Sequence, residues 1–238
     1  MYEDNYQGYQ GEYGMYRTTL AEYTAGTFKW MALGLLTTFL TAYLSYTSGI
    51  IYEVLYRFYP AMFIVAIAEI ILVWVLSARI ERLRVETATG LFFGYAVLNG
   101  FTFGLYLTVY ATSTLFYVFL VTAGFFALMA FYGKTTDTDL TALRPYLFGG
   151  LICLVVFWIM SMFLDFTRFE RIASIIGVAI FLAYTAFDTQ KIRHYYEYYS
   201  SDAELLQKTS IISALALYLD FVNLFLYLLR ILGRGNRR

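Results

Sequence analysis

Hydrophobic positions along this chain come in long unbroken runs, separated by short polar intervals, rather than in the alternation of a sheet or the stripe of a soluble helix. Seven runs can be marked: 27–46, 61–78, 86–110, 114–133, 145–164, 171–192 and 210–232. Each approaches or exceeds the roughly 20 apolar residues that carry a helix across a bilayer core of ~30 Å. The pattern predicts an all-α membrane protein, a seven-transmembrane-helix bundle. The connections are short except for YYEYYSSDAELLQ, residues 195–207, which reads as a polar loop. Pro145 stands at a segment start, where proline is best tolerated.

Ahead of the first run, residues 1–26 are polar, contain glycine and are rich in tyrosine. They lack the basic region, short apolar core and cleavage site of a signal peptide, and they read as a disordered cytosolic tail. The domain plan is this tail, a transmembrane domain over 27–233, and a basic C-terminal tail over 234–238. Nothing suggests a second domain.

Composition agrees with the pattern. Sixty per cent of the residues are hydrophobic and only 14 % are charged, against about 25 % charged in soluble domains. The formal charge is zero, so nucleic acid is not an expected partner; the bilayer is. The single Cys153 lies in an apolar run and reads as a small core residue. The single His194 lies in a polar stretch, which excludes a histidine cage and disfavours a Ser-His-Asp triad. Trp30, Trp74 and Trp158 lie toward segment ends and read as interfacial anchors. Asn99, Gly100 and Gly104 give the third run a small-xxx-small spacing, read here as close helix packing.

Lysine and arginine orient the chain. One set of connections collects Arg17, Lys29, Arg79, Arg82, Arg84, Lys134, Arg144, Lys191, Arg193 and Lys208. The opposite set holds only Arg57, Arg168 and Arg171. The N-terminus is therefore expected in the cytoplasm. Seven full crossings then place Arg234, Arg237 and Arg238 outside, against the rule, so full spanning by the last segment is open. Early helices usually dominate topology, and seven crossings are kept.

Four ionisable residues lie within or at the inner ends of the apolar runs: Glu69, Asp188, Asp220 and Arg230. A charge at such depth costs ~2.5–3.5 kcal/mol on insertion scales, so it faces protein or water and marks a functional site by default. Asp188 and Asp220 lie symmetrically about position 204 in the connection between the last two segments, so in a hairpin they can face one another. Two carboxylates in one low-dielectric site cannot both ionise freely and tend to hold one proton between them. Deprotonated, they offer hard oxygen ligands suited to Ca²⁺. The pair is a candidate proton sensor and cation (metal) site, and Arg79 or Arg82 at the end of the second segment could swing in to neutralise it. The alternative is a purely structural carboxyl pair, or Asp188 as a cap. Glu69 and Arg230 are expected to form a buried ion pair between the second and seventh segments; the alternative has Arg230 reaching to the interface and Glu69 protonated alone.

The stretches AYTAFDTQKI and SALALYLDFVNLFLYLLRILG, supported by NGFTFG and the S-x-R-I ending of the second segment, resemble the Bax inhibitor-1 family. The likeness extends over essentially everything from residue 27 onward. It implies a seven-helix fold with the seventh helix central, and a pH-sensitive calcium leak with a pair of aspartates as sensor. By motif position that pair is Asp188 and Asp220. The arginine paired with them falls at Arg79 or Arg82. The resemblance also implies modulation of membrane-bound proteases in bacterial relatives, and suppression of cell death in eukaryotic ones. The expected function is a pH-sensitive calcium leak channel, not an enzyme, in a bacterial plasma (inner) membrane. A non-conducting regulator or scaffold is the second reading. An intramembrane aspartyl protease is a distant third, because the chain has FD and LD but no GxGD.

Overall fold

The computed structural model describes residues 18–57 and 61–233. Its elements are eight α-helices in this order: α1 (Leu20–Thr47), α2 (Ile50–Arg57), α3 (Ala61–Arg79), α4 (Val85–Val109), α5 (Thr112–Thr135), α6 (Arg144–Ser161), α7 (Glu170–Tyr199) and α8 (Ala203–Leu232). Short 3₁₀ turns follow α3 and precede α6. Among the described residues the fold is all-helical. α4, α5, α6 with its preceding turn, α7 and α8 are each long and apolar enough to cross a membrane.

Helix ends follow local chemistry. Thr19 caps α1 in a capping box with Glu22, each side chain bonded to the other's backbone N–H. The helix thus starts seven residues ahead of the apolar run, inside the expected tail; residues 1–17 and 234–238 lie outside the described residues. Pro145 occupies the first turn of α6 as expected. Gly49 ends α1 at φ +78°, a conformation glycine adopts without a Cβ penalty. It leads into α2, which the hydrophobic pattern did not reveal because an eight-residue helix leaves too short a periodic signal.

The expected polar loop 195–207 is a correction. α7 continues to Tyr199 and α8 begins at Ala203, leaving only Ser200–Asp202 as a turn. Asp202 ends the interruption by accepting N–H bonds from Glu204 and Leu205, both at 3.0 Å. The tyrosines before it are helical and find partners: Tyr196 stacks obliquely on Tyr23 and donates to the Thr18 carbonyl.

Burial is concentrated in α8. Of its most apolar stretch 72 % is buried, against 11–39 % in the other four long apolar helices. α8 packs against α7, α1, α5 and α4, while α3 packs chiefly on α4. Glycines set the tightest crossings. A Cβ on Gly133 would run into the Ala186 carbonyl oxygen, so α5 and α7 touch backbone to backbone. A Cβ on Gly100 would lie 2.6 Å from the Thr38 carbonyl oxygen, and one on Gly104 equally close to Ser45 Oγ. The NGFTFG stretch is therefore a packing face against α1. Hydroxyls such as those of Thr122 and Thr185 are satisfied by the carbonyl one turn back and need no water. Cys153 is exposed, contrary to expectation. α6 has only Leu147 and Leu154 buried, so most of its length faces outward.

Candidate functional site

The register between α7 and α8 decides what their carboxylates meet. Gly177 leaves room for the ring of Tyr227, which would lie 2.6 Å from any Cβ there. Tyr227 stacks on Phe181 with ring centres 5.7 Å apart. Seven residues beyond Phe181 on α7 stands Asp188, and seven residues before Tyr227 on antiparallel α8 stands Asp220. At ~3.6 residues per turn, seven residues return each helix to the same face two turns on, so the two aspartates come level. Asp220 lies within electrostatic reach of Asp188 and Lys191.

The two carboxylates differ in surroundings. Asp220 is only 4 % exposed, and its Oδ2 is shielded from solvent and has no hydrogen-bond partner among the described residues. Asp188 has a side chain 12 % exposed, with Lys191 Nζ 3.9 Å from its Oδ1. Asp188 also borders a cavity of about 600 Å³ with Ser77, Arg144, Tyr184, Lys191 and Ser213, floored by Leu215 and Leu219. Its walls come from the C-terminal end of α3, the start of α6, α7 and α8. That end of the bundle carries most of the lysines and arginines.

Arg79 and Arg82 are not at the pair. Arg79 ends α3 and Arg82 lies in the following 3₁₀ turn, both exposed. Among the described residues, the ion pair to an aspartate of this site is made by Lys191. Glu69 and Arg230 are also not joined to each other. Glu69 accepts from Thr102 Oγ1 at 3.0 Å, because α3 is packed on α4. Arg230 instead lies over the Trp158 ring, 3.5 Å from its centroid, with Tyr227 at 5.7 Å. Tyr106 of α4 lies within electrostatic reach of both Glu69 and Arg230. The expected ion pair is thus replaced by a hydroxyl contact at one charge and aromatic faces at the other.

Two carboxylates supply at most part of the about 6–8 oxygens that Ca²⁺ takes. Among the described residues no third Asp, Glu, His or Cys joins them in a cluster. A cation held here would need water or carbonyl oxygens to complete its shell. Sequence reasoning missed Lys191, although its i,i+3 spacing from Asp188 was a usable signal. It also took Trp158 for an anchor, whereas its Nε1–H donates to Tyr227 at 3.1 Å and its face holds Arg230.

Residues 20–237 match the family described as Inhibitor of apoptosis-promoting Bax1. The chain is similar to the inner membrane protein YbhL of Escherichia coli K12, 39 % identical over 223 residues, covering 93 % of this chain and 94 % of that one. It is similar, at 37 % identity over 217 residues, to an uncharacterized protein of Deinococcus radiodurans, covering 91 % and 90 %. An uncharacterized protein of Borreliella burgdorferi is 33 % identical over 213 residues, covering 90 % and 92 %.

Proposed function

The chain belongs to the Bax inhibitor-1 family, and on that premise we propose that it is a pH-sensitive leak channel for calcium or a related cation. Asp188 and Asp220 are its proton sensor and cation site. At higher pH the pair ionises and attracts a cation from the cavity beside Asp188; at lower pH protonation weakens that attraction. The observation that carries this reading is the shielded Oδ2 of Asp220, without a hydrogen-bond partner among the described residues and level with a carboxylate that borders a cavity. A buried acceptor left unsatisfied is costly and its retention calls for an explanation, such as an ion taken up in a working state. Lys191 supplies the neutralising cation in the described state; Arg79 and Arg82 are gating arginines only if the end of α3 and the turn after it move.

The same proposal includes seven crossings, by α1 and α3 through α8, with α8 as their axis, supported by the burial of α8. It sets the N-terminus in the cytoplasm, supported by the lysine and arginine asymmetry, and the protein in a bacterial inner membrane, supported by the similarity to YbhL. No enzymatic step is assigned.

Calcium flux into liposomes holding the purified protein, from mildly acidic to mildly alkaline pH, tests the reading. Wild type should show pH-dependent flux and Asp188→Asn should flatten it. Absence of flux at every pH sinks the channel reading and moves the proposal to a non-conducting regulator, for example of a membrane-bound protease.

A further inference from the structure

A second cavity, of about 330 Å³, lies between α6, α7 and α8, toward the opposite end of α8 from the first. Its walls are apolar (Leu151, Leu154, Val155, Phe181 and Leu226 among them), and one cation, Arg230, stands in it. The guanidinium is held flat against Trp158. Its Nη1 is shielded and has no hydrogen-bond partner among the described residues. Asn223, the other polar side chain there besides Tyr227 and Trp158, donates its amide to the Leu219 carbonyl at 2.8 Å.

The cavity borders the membrane-facing side of α6. Val155 is 49 %, Ile159 53 % and Met162 71 % exposed, and all three line it. Arg230 lies in the last turn of α8, the level at which a long side chain meets headgroups. An occupant must therefore carry an anion at one end and hydrocarbon at the other, and enter sideways from the bilayer. About 330 Å³ is near the small end of ligand cavities, ~300–1,000 Å³, room for one chain rather than a whole lipid.

We propose that the groove between α6 and α8 holds one acyl chain of an anionic glycerophospholipid, whose net negative headgroup pairs with the Arg230 guanidinium. Arginine suits this because its planar donor fork matches phosphate oxygens. The site is separate from the aspartate cavity and does not depend on ion conduction.

Fluorescence of the full chain in neutral detergent provides the test, with phospholipids brominated in one acyl chain as quenchers of Trp158. The signal of Trp158 is the difference between wild type and Trp158→Phe. Brominated phosphatidylglycerol should quench that signal at a concentration at least about tenfold lower than brominated phosphatidylcholine, about 1.4 kcal/mol of preference. Arg230→Gln should abolish the preference, while Arg168→Gln, altering an exposed arginine, should leave it intact. Equal quenching by the two lipids in wild type overturns the proposal, whether or not Arg230→Gln folds. A preference that survives Arg230→Gln overturns it too. Displacement of the quencher by inorganic phosphate, or equally well by oleate, assigns the site to a free anion or a single-chain carboxylate and also overturns it.

Discussion

Two charged sites lie along α8, and the protein accommodates them in opposite ways. Asp188 borders a cavity with several polar walls, Asp220 is buried level with it, and a lysine from the same helix as Asp188 answers part of their charge. Arg230 stands in an apolar cavity and is answered by aromatic faces. An aromatic ring favours a cation through its quadrupole and offers nothing comparable to an anion. The carboxylates therefore need charge, donors or water, and Asp220 Oδ2 has no hydrogen-bond partner among the described residues. The comparison teaches that aromatic faces answer a buried cation in part, whereas a buried carboxylate needs charge, donors or water.

The largest expected effect breaks the aspartate end. Gly133→Leu drives a side chain into the Ala186 backbone, two residues from Asp188, and should destabilise the protein by about 3 kcal/mol or more. Unfolding by denaturing detergent would measure it; a loss under about 1 kcal/mol would mean the α5–α7 crossing is looser than described. Next comes the arginine end. Trp158→Leu removes the cation–π face and the bond to Tyr227, and should cost about 2 kcal/mol in the same measurement. It should leave the pH dependence of calcium flux unchanged.

Asp220→Leu sharpens the contrast with a smaller effect of opposite sign. Leucine keeps the branching of aspartate, and removing a buried acceptor that has no partner among the described residues should outweigh the added volume and stabilise by about 1 kcal/mol, while flux is lost. Destabilisation instead would make Asp220 a structural residue.

The smallest effect concerns both ends of α6. Asp139 precedes it and Asp165 follows it, each accepting from the hydroxyl and backbone N–H of the threonine two residues on, Thr141 and Thr167. Those bonds favour the ionised form and hold both carboxyls below the ordinary value of 3.8. A lowered value in the folded protein means the stabilisation is present at neutral pH and is lost as pH falls below 3.8 through the folded value. Asp139→Asn and Asp165→Asn should slightly lower thermal stability at neutral pH and remove part of its fall in acid; an unaltered acid limb would contradict this.

Much of this fold was legible in the hydrophobic runs, because a helix in lipid must satisfy its own backbone and so announces itself by length. The level pairing of Asp188 and Asp220 was legible in their symmetric spacing, which matches the Phe181–Tyr227 contact. The helical continuation through Tyr195–Tyr199 was not, because a tyrosine-rich segment packs by tertiary contacts such as Tyr23 with Tyr196 that no local pattern carries. Glu69 and Arg230 were expected to pair because opposite charges in lipid usually do. Which partners they meet depends on the rotation of α3 on α4 and of α8 against α6, which composition does not encode. Arg79 and Arg82 were ambiguous for a similar reason: long side chains at a helix end have many reachable targets.

The most direct measurement is calcium flux across a pH series in liposomes holding wild type, Asp188→Asn or Arg230→Lys, side by side. The account predicts a pH-dependent flux in wild type, kept by Arg230→Lys and flattened by Asp188→Asn. Flux that keeps its full pH dependence in Asp188→Asn, or that loses it only in Arg230→Lys, would contradict the assignment of the proton sensor to the aspartate end.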